Sequence, residues 1–118
     1  MAFVTADQVR NRLGFSATDI SDSIVNSFII DAAAYLSNQV NYDIDPDDCT
    51  LAEASAIADL AAIYCYLHKT GVAAVGYTLN LGSITFTGPS SRIAQLEVLK
   101  ANVQAFIRRN RRSPLRSV

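Results

Sequence analysis

The apolar positions of this chain fall into four blocks of helical period and one block of period two. The first block has a marked start. Thr5 and Gln8 form a T-x-x-Q capping box, and Val4 and Val9 stand at the two positions of a hydrophobic staple. Gly14 supplies the stop. This helix is short, roughly two turns, and needs tertiary support. A second helix starts at Ser21 or Asp22 and runs to about Val40. Ile24, Val25, Phe28, Ile29, Ala32, Tyr35, Leu36 and Val40 recur at helical spacing and give it a broad buried face. Asp22 suits the positive end of its dipole.

An acidic loop, residues 41–48 with Pro46, leads to a third helix. Thr50 and Glu53 form a second capping box. The stripe Ala54, Ile57, Ala58, Ala61, Ala62, Cys65 and Tyr66 carries the helix to about Lys69, and Gly71 is the expected stop. Its alanines permit close approach by neighbouring helices. Over residues 77–87 the period changes to two. Tyr77, Leu79 and Leu81 alternate with polar residues, as do Ile84 and Phe86, and Gly82-Ser83 between them suits a II′ turn. An isolated hairpin is marginal in water, so this one is expected to pack on the helices or pair with hairpins of other copies. Gly88-Pro89 closes it, and Ser90 or Ser91 caps the last helix. There Ile93, Leu96, Leu99, Val103 and Phe106 form one apolar stripe, widened by Ile107. Pro114 argues against any continuation.

The expected fold is therefore mainly α: a small bundle of about four helices, with one β-hairpin inserted before the long C-terminal helix. Residues 1–110 read as one helical domain and residues 111–118 as a basic C-terminal tail. A length of 118 residues, half of them hydrophobic, allows one domain with a real core. The N-terminal residues lack the pattern of a secretory signal, and the most apolar stretch, interrupted by Asp59, is too short to span a bilayer. Cys49 and Cys65 form no CxxC and are expected to stay reduced, in a cytosolic setting.

Charge changes the picture. Residues 1–59 carry ten acidic side chains against Arg10 and Arg12, a balance of −8, whereas residues 60–118 carry eight basic ones against Glu97, a balance of +7. The net charge of −1 hides this split. Arg108, Arg109, Arg111, Arg112 and Arg116 hold most of the positive excess. Such a cluster suits an acidic partner: nucleic acid, an anionic membrane, or the acidic surface of another subunit. In a ring, an acidic face of one copy would meet a basic face of the next.

Catalytic and metal chemistry find little support. Cys65 and His68 lie one turn apart, but zinc needs further ligands and none is near in sequence. Asp43, Asp45 and Asp47 match the start of a calcium loop, but Asp48 stands where Gly is needed and Ala54 where a bidentate Glu is needed. No GxSxG, P-loop or GxGxxG occurs, and the lone histidine has no evident acidic orienter. Paired carboxylates are expected only in the loop and on helix surfaces. The expectation is a non-enzyme with no metal and no cofactor.

The order of these elements resembles a known family. Residues 5–14 read TADQVRNRLG, residues 21–36 SDSIVNSFIIDAAAYL and residues 58–67 ADLAAIYCYL; a glycine-flanked hairpin and a long final helix with a basic tail follow. This layout resembles the head–tail connector (adaptor, or head-completion) proteins of tailed bacteriophages and related viruses, over nearly the whole chain. The resemblance implies a structural virion protein of the neck, made in the host cytoplasm. It implies a homo-oligomeric ring, commonly dodecameric, that docks under the portal protein and extends the DNA channel. The ring would offer the attachment surface for a stopper or tail-completion protein, and genomic DNA would pass through it without sequence-specific binding. The portal-binding tail would be Arg108, Arg109, Arg111, Arg112, Pro114, Leu115 and Arg116. Tyr77, Leu79, Leu81, Gly82, Ile84 and Phe86 would contact neighbouring subunits or the next ring. No membrane partner is implied. The alternative reading is a small helical nucleic-acid-binding protein that uses the arginine cluster.

Overall fold

The computed structural model describes residues 3–15, 18, 20–69 and 90–111. Four α-helices follow one another along them: α1 (Ala6–Leu13), α2 (Asp22–Val40), α3 (Leu51–Lys69) and α4 (Ser90–Asn110). The protein is mainly helical. The segment predicted as a hairpin, residues 77–87, lies outside the described residues, as do Gly71, Gly88, Pro89 and residues 112–118.

The helix starts and stops are local chemistry. Thr5 Oγ1 accepts from the Gln8 N–H at 3.3 Å, and Gln8 Oε1 accepts from the Thr5 N–H at 3.2 Å. Both partners of the staple, Val4 and Val9, are buried. Gly14 ends α1 with φ 73°, a left-handed conformation that glycine takes without a Cβ penalty. The second capping box also forms: Thr50 Oγ1 accepts from Glu53 N–H at 3.1 Å, and Glu53 Oε1 from Thr50 N–H at 2.9 Å. α2 starts after an extended Ser21 whose side chain does not cap it, and it ends at Asn41 with φ 65°. Asn tolerates that left-handed geometry better than most side chains do.

The packing follows from which residues meet. The Phe28 ring of α2 lies edge-on to Tyr64 and His68 of α3, at centroid distances of 6.1 and 5.6 Å. Ala52, Ser55, Ala56 and Asp59 of α3 face Asn102, Ala105, Phe106 and Arg109 of α4. α3 is therefore antiparallel to both. The C-terminal ends of α2 and α4 share one pole with the start of α3. α1 is tied to that pole by its entry, where the Val4 N–H donates to the Pro46 carbonyl at 3.0 Å.

α3 is the central helix. Every residue from Ala56 to Cys65 is buried. A helix that touches partners on all sides loses its amphipathic period, and alanine is what lets three neighbours approach it. This corrects the stripe read from the sequence: Tyr64, outside that stripe, is fully buried, whereas Tyr66 is only half-buried. On α4 the predicted Leu96, Leu99, Val103, Phe106 and Ile107 are all buried. Among the described residues no helix is long and apolar enough to cross a membrane.

Candidate functional site

The pole where α2 and α4 end collects most of the chemistry singled out in the sequence. The acidic loop there is a folded turn. Asp45 Oδ1 accepts from the Asp47 N–H at 2.9 Å, the Asp48 N–H donates to the Asp45 carbonyl at 3.1 Å, and Ile44 and Cys49 face the core. Ser37 pins the loop to α2: its Oγ donates to the Ala33 carbonyl at 2.8 Å and accepts from the Ile44 N–H at 3.0 Å. Asp43, Asp45, Asp47 and Asp48 are exposed. Among the described residues no group of three His, Cys, Asp or Glu side chains is placed to hold a metal.

The arginine cluster is divided. Arg111 turns back on α2, its Nε donating to the Gln39 carbonyl at 2.9 Å and its Nη2 to Gln39 Oε1 at 3.0 Å. That carbonyl is one of the last four of α2, which have no acceptor role inside the helix. A cation at the negative end of a helix is favourable as well. Arg108 and Arg109 are exposed. Arg112, Pro114, Leu115 and Arg116 lie outside the described residues, as do Tyr77, Leu79, Leu81, Gly82, Ile84 and Phe86. The charge split of the sequence does not become a split between the ends of the bundle. Loop 43–48 and Arg108, Arg109 and Arg111 share one pole, because the antiparallel packing of α3 returns the chain to it.

The two N-terminal arginines are consumed internally. Arg10 is buried and donates to Asp22 and Asp7, each at 2.6 Å, and to the Ile20 carbonyl at 3.3 Å. Asp22, and then Asp7, hold its guanidinium charged. Arg12 of α1 reaches Asp59 of α3, Nε to Oδ1, at 2.8 Å. The Asp59 side chain is only 6% exposed against 34% for Arg12. Burial pushes the Asp59 carboxyl above its usual range, although Arg12 and a hydrogen bond from Asn102 of α4 pull the other way. The sequence reading placed paired carboxylates in the loop and on helix surfaces; Asp59 is a lone carboxylate that it did not single out. Asp59 lies inside the bundle and links three helices. The signal was a single acid within the apolar run 54–67 of α3, with Arg12 near the end of the short α1.

Beside Asp59 the packing of α3 on α4 is open. A groove of about 250 Å³ runs between them, lined by Ala52, Ser55, Ala56, Asp59, Asn102, Ala105, Phe106 and Arg109. Alanine and serine at the contact leave this space, the Asp59 carboxylate lies at its floor, and the exposed Arg109 stands at its rim.

The cysteine chemistry is quiet. Cys65 is fully buried, and desolvation pushes its thiol up to about 12, with Arg10 pulling the other way. His68, one turn on, is exposed and rests its ring against Phe28. Cys49 is buried with its Sγ 4.0 Å from the Pro46 carbonyl, its thiol raised by burial and by the acidic groups around it. Thiolates are the reactive form, so both sites are poor nucleophiles at neutral pH. The Tyr64 hydroxyl is buried and makes no hydrogen bond among the described residues. Compared with family models, curated proteins and solved structures, the chain matches none of them.

Proposed function

We propose that this chain is a structural, non-catalytic subunit of a virion connector ring. Copies assemble side by side beneath the portal protein, extend the DNA channel, and offer the docking surface for a stopper or tail-completion protein. The observation that carries this reading is the end of α4. Its apolar stripe is buried from Leu96 to Ile107, and the next two residues, Arg108 and Arg109, are exposed on the final turn of the helix. A rigid helix thus delivers basic side chains and the start of the tail to one pole. Guanidinium groups there suit carboxylates or other acceptors on a portal surface. The finer reading of the fold belongs to the same proposal: residues 77–87 form a hairpin that contacts a neighbouring copy or the next ring.

The test is a pull-down with N-terminally tagged protein from an extract of its source, with nucleic acid digested beforehand and captured proteins identified by mass spectrometry. Recovery of a portal or tail-completion protein, lost when residues 110–118 are deleted, is the expected result. Capture of the same proteins by the truncated chain would overturn the tail assignment. The exposed Arg108 and Arg109 favour one second reading, a nucleic-acid-binding helical protein. Its signature is DNA affinity that falls steeply with salt. Weak binding with a flat salt dependence dismisses it.

A further inference from the structure

The groove between α3 and α4 contains a group whose chemistry is unfinished. Asp59 is a carboxylate 6% exposed, inside a helix bundle. An ionised carboxylate offers about four acceptor positions. Arg12 occupies one oxygen end-on through Nε, and Asn102 adds a bond. An end-on contact lacks the second bond of the bidentate fork, so the pair is not the strongest that arginine can make. Two donors against about four acceptor positions leave capacity over, and Asp59 is one of the residues lining the groove.

The walls specify what fits. Ala52, Ala56 and Ala105 are small, and Phe106 presents an aromatic side chain. An aliphatic stem packs on such a surface, and a guanidinium plane stacks on an aromatic face while its fork meets a carboxylate. Ser55 and Asn102 add polar groups beside it. Arginine satisfies all of these together. Lysine offers the charge without the plane or the fork. Each copy of the chain also carries the complement, an exposed basic end on α4 at the same pole as the groove. Arg108 is exposed and does not line the groove, so its entry into the slot of another copy makes a heterologous contact, the kind that closes a ring or runs on as a filament.

We infer that the α3–α4 groove is a receptor slot for an arginine side chain contributed by a second copy of this chain, with Asp59 as the group that receives it. The inference rests on the ring reading above and names the contact inside it. Arg109 at the rim repels an incoming cation, and this gives the slot a directional signature.

The experiment measures self-association of the full chain by sedimentation. Ser55→Trp fills the groove from an exposed position one turn before Asp59 and keeps both partners of the Arg12–Asp59 pair. Asp59→Asn removes the receiving charge. Both are expected to weaken self-association by at least about tenfold, as truncation of a buried charged contact does. Arg109→Ala is expected to strengthen binding of N-acetyl-arginine amide to the slot, whereas a site for anions would lose affinity. The deciding mixture pairs Ser55→Trp, with its basic end intact, with an Arg108→Ala/Arg112→Ala/Arg116→Ala chain, with its slot intact. Each alone stays monomeric, and together they form a one-to-one dimer. Association of Ser55→Trp equal to wild type, a mixture that stays monomeric, or a wild-type chain monomeric at every concentration overturns the slot. Capture of a portal protein in the pull-down is unaffected by any of these outcomes, so the connector reading stands or falls separately.

Discussion

Replacing Arg12 by Met is the sharpest probe of how the bundle is tied. Methionine keeps most of the stem and removes the guanidinium, so packing changes little. What changes is Asp59, left 6% exposed with Asn102 as its remaining donor. Removing one partner of a fully buried pair costs roughly 3–5 kcal/mol, and an exposed pair is worth roughly 0–1 kcal/mol. Arg12 is 34% exposed, so this pair lies between those limits. The expected loss is about 2–3 kcal/mol at pH 7. At about 4 °C per kcal/mol for a domain of this size, Tm falls by about 10 °C. The pH dependence gives a second check. The native Asp59 carboxyl titrates above its ordinary 3.8. In the window between the two values the folded state holds a proton that the unfolded chain has lost, so stability falls as pH rises through it. Arg12→Met removes the favourable partner and widens that window. Urea unfolding at pH 7 and near pH 4.5 should therefore show the variant recovering toward wild type at the lower pH. Asp59→Asn should show no such recovery, and in the Arg12→Met/Asp59→Asn double variant the two losses should be less than additive. An equal Arg12→Met loss at both pH values, with additive single losses, refutes a charge-based tie.

Tyr64→Phe deletes a buried hydroxyl that makes no hydrogen bond among the described residues, so the variant should be as stable as wild type or gain up to about 1 kcal/mol in thermal melts; a loss of that size would show that the hydroxyl has a partner. Thr5→Ala breaks the first capping box and should cost about 1 kcal/mol, read by urea unfolding, whereas Thr5→Asp should restore most of it. Gly14→Ala meets no atom within 4 Å of the new Cβ, so its expected cost of about 1 kcal/mol comes from the left-handed backbone alone, and Gly14→Asn should cost less. Iodoacetamide at pH 8 should label Cys65 far more slowly in the folded chain than in urea, because the thiol is both covered and held near 12; equal rates by mass spectrometry would show that α3 opens readily.

The helices were legible where a local rule governs them. Thr5, Gln8, Thr50 and Glu53 satisfy backbone groups within their own turn, so four residues of sequence contain the whole interaction. The stripes of α2 and α4 were legible because each helix packs on one side. α3 was the hard case. It is covered all round, so its period carries no direction, and Tyr64 and Tyr66 could not be ranked from spacing. Asn41 closes α2 in a left-handed turn that few sequences advertise without glycine. The Arg12–Asp59 tie spans 47 positions, and nothing local announces a partner that far away. The groove beside it is a gap between two helices, made by small residues that read in sequence only as good packing. The engagement of Arg111 by Gln39 was hidden for the same reason, since a basic run looks uniform until the fold brings a carbonyl to one member of it.

The antiparallel course of α3 has a mechanical corollary. α3 ends and α4 begins at one pole, while Arg108, Arg109 and the acidic loop occupy the other. Helices of 19–21 residues at about 1.5 Å per residue hold these poles roughly 30 Å apart. A protein bound at one end leaves the other sterically clear, and the separation exceeds the screening length of physiological salt several-fold. Two ligands can then be loaded in either order without competing for space or altering each other's electrostatics. Any dependence of one on the other must travel through the core itself, and the Arg12–Asp59–Asn102 junction is where α1, α3 and α4 would have to yield.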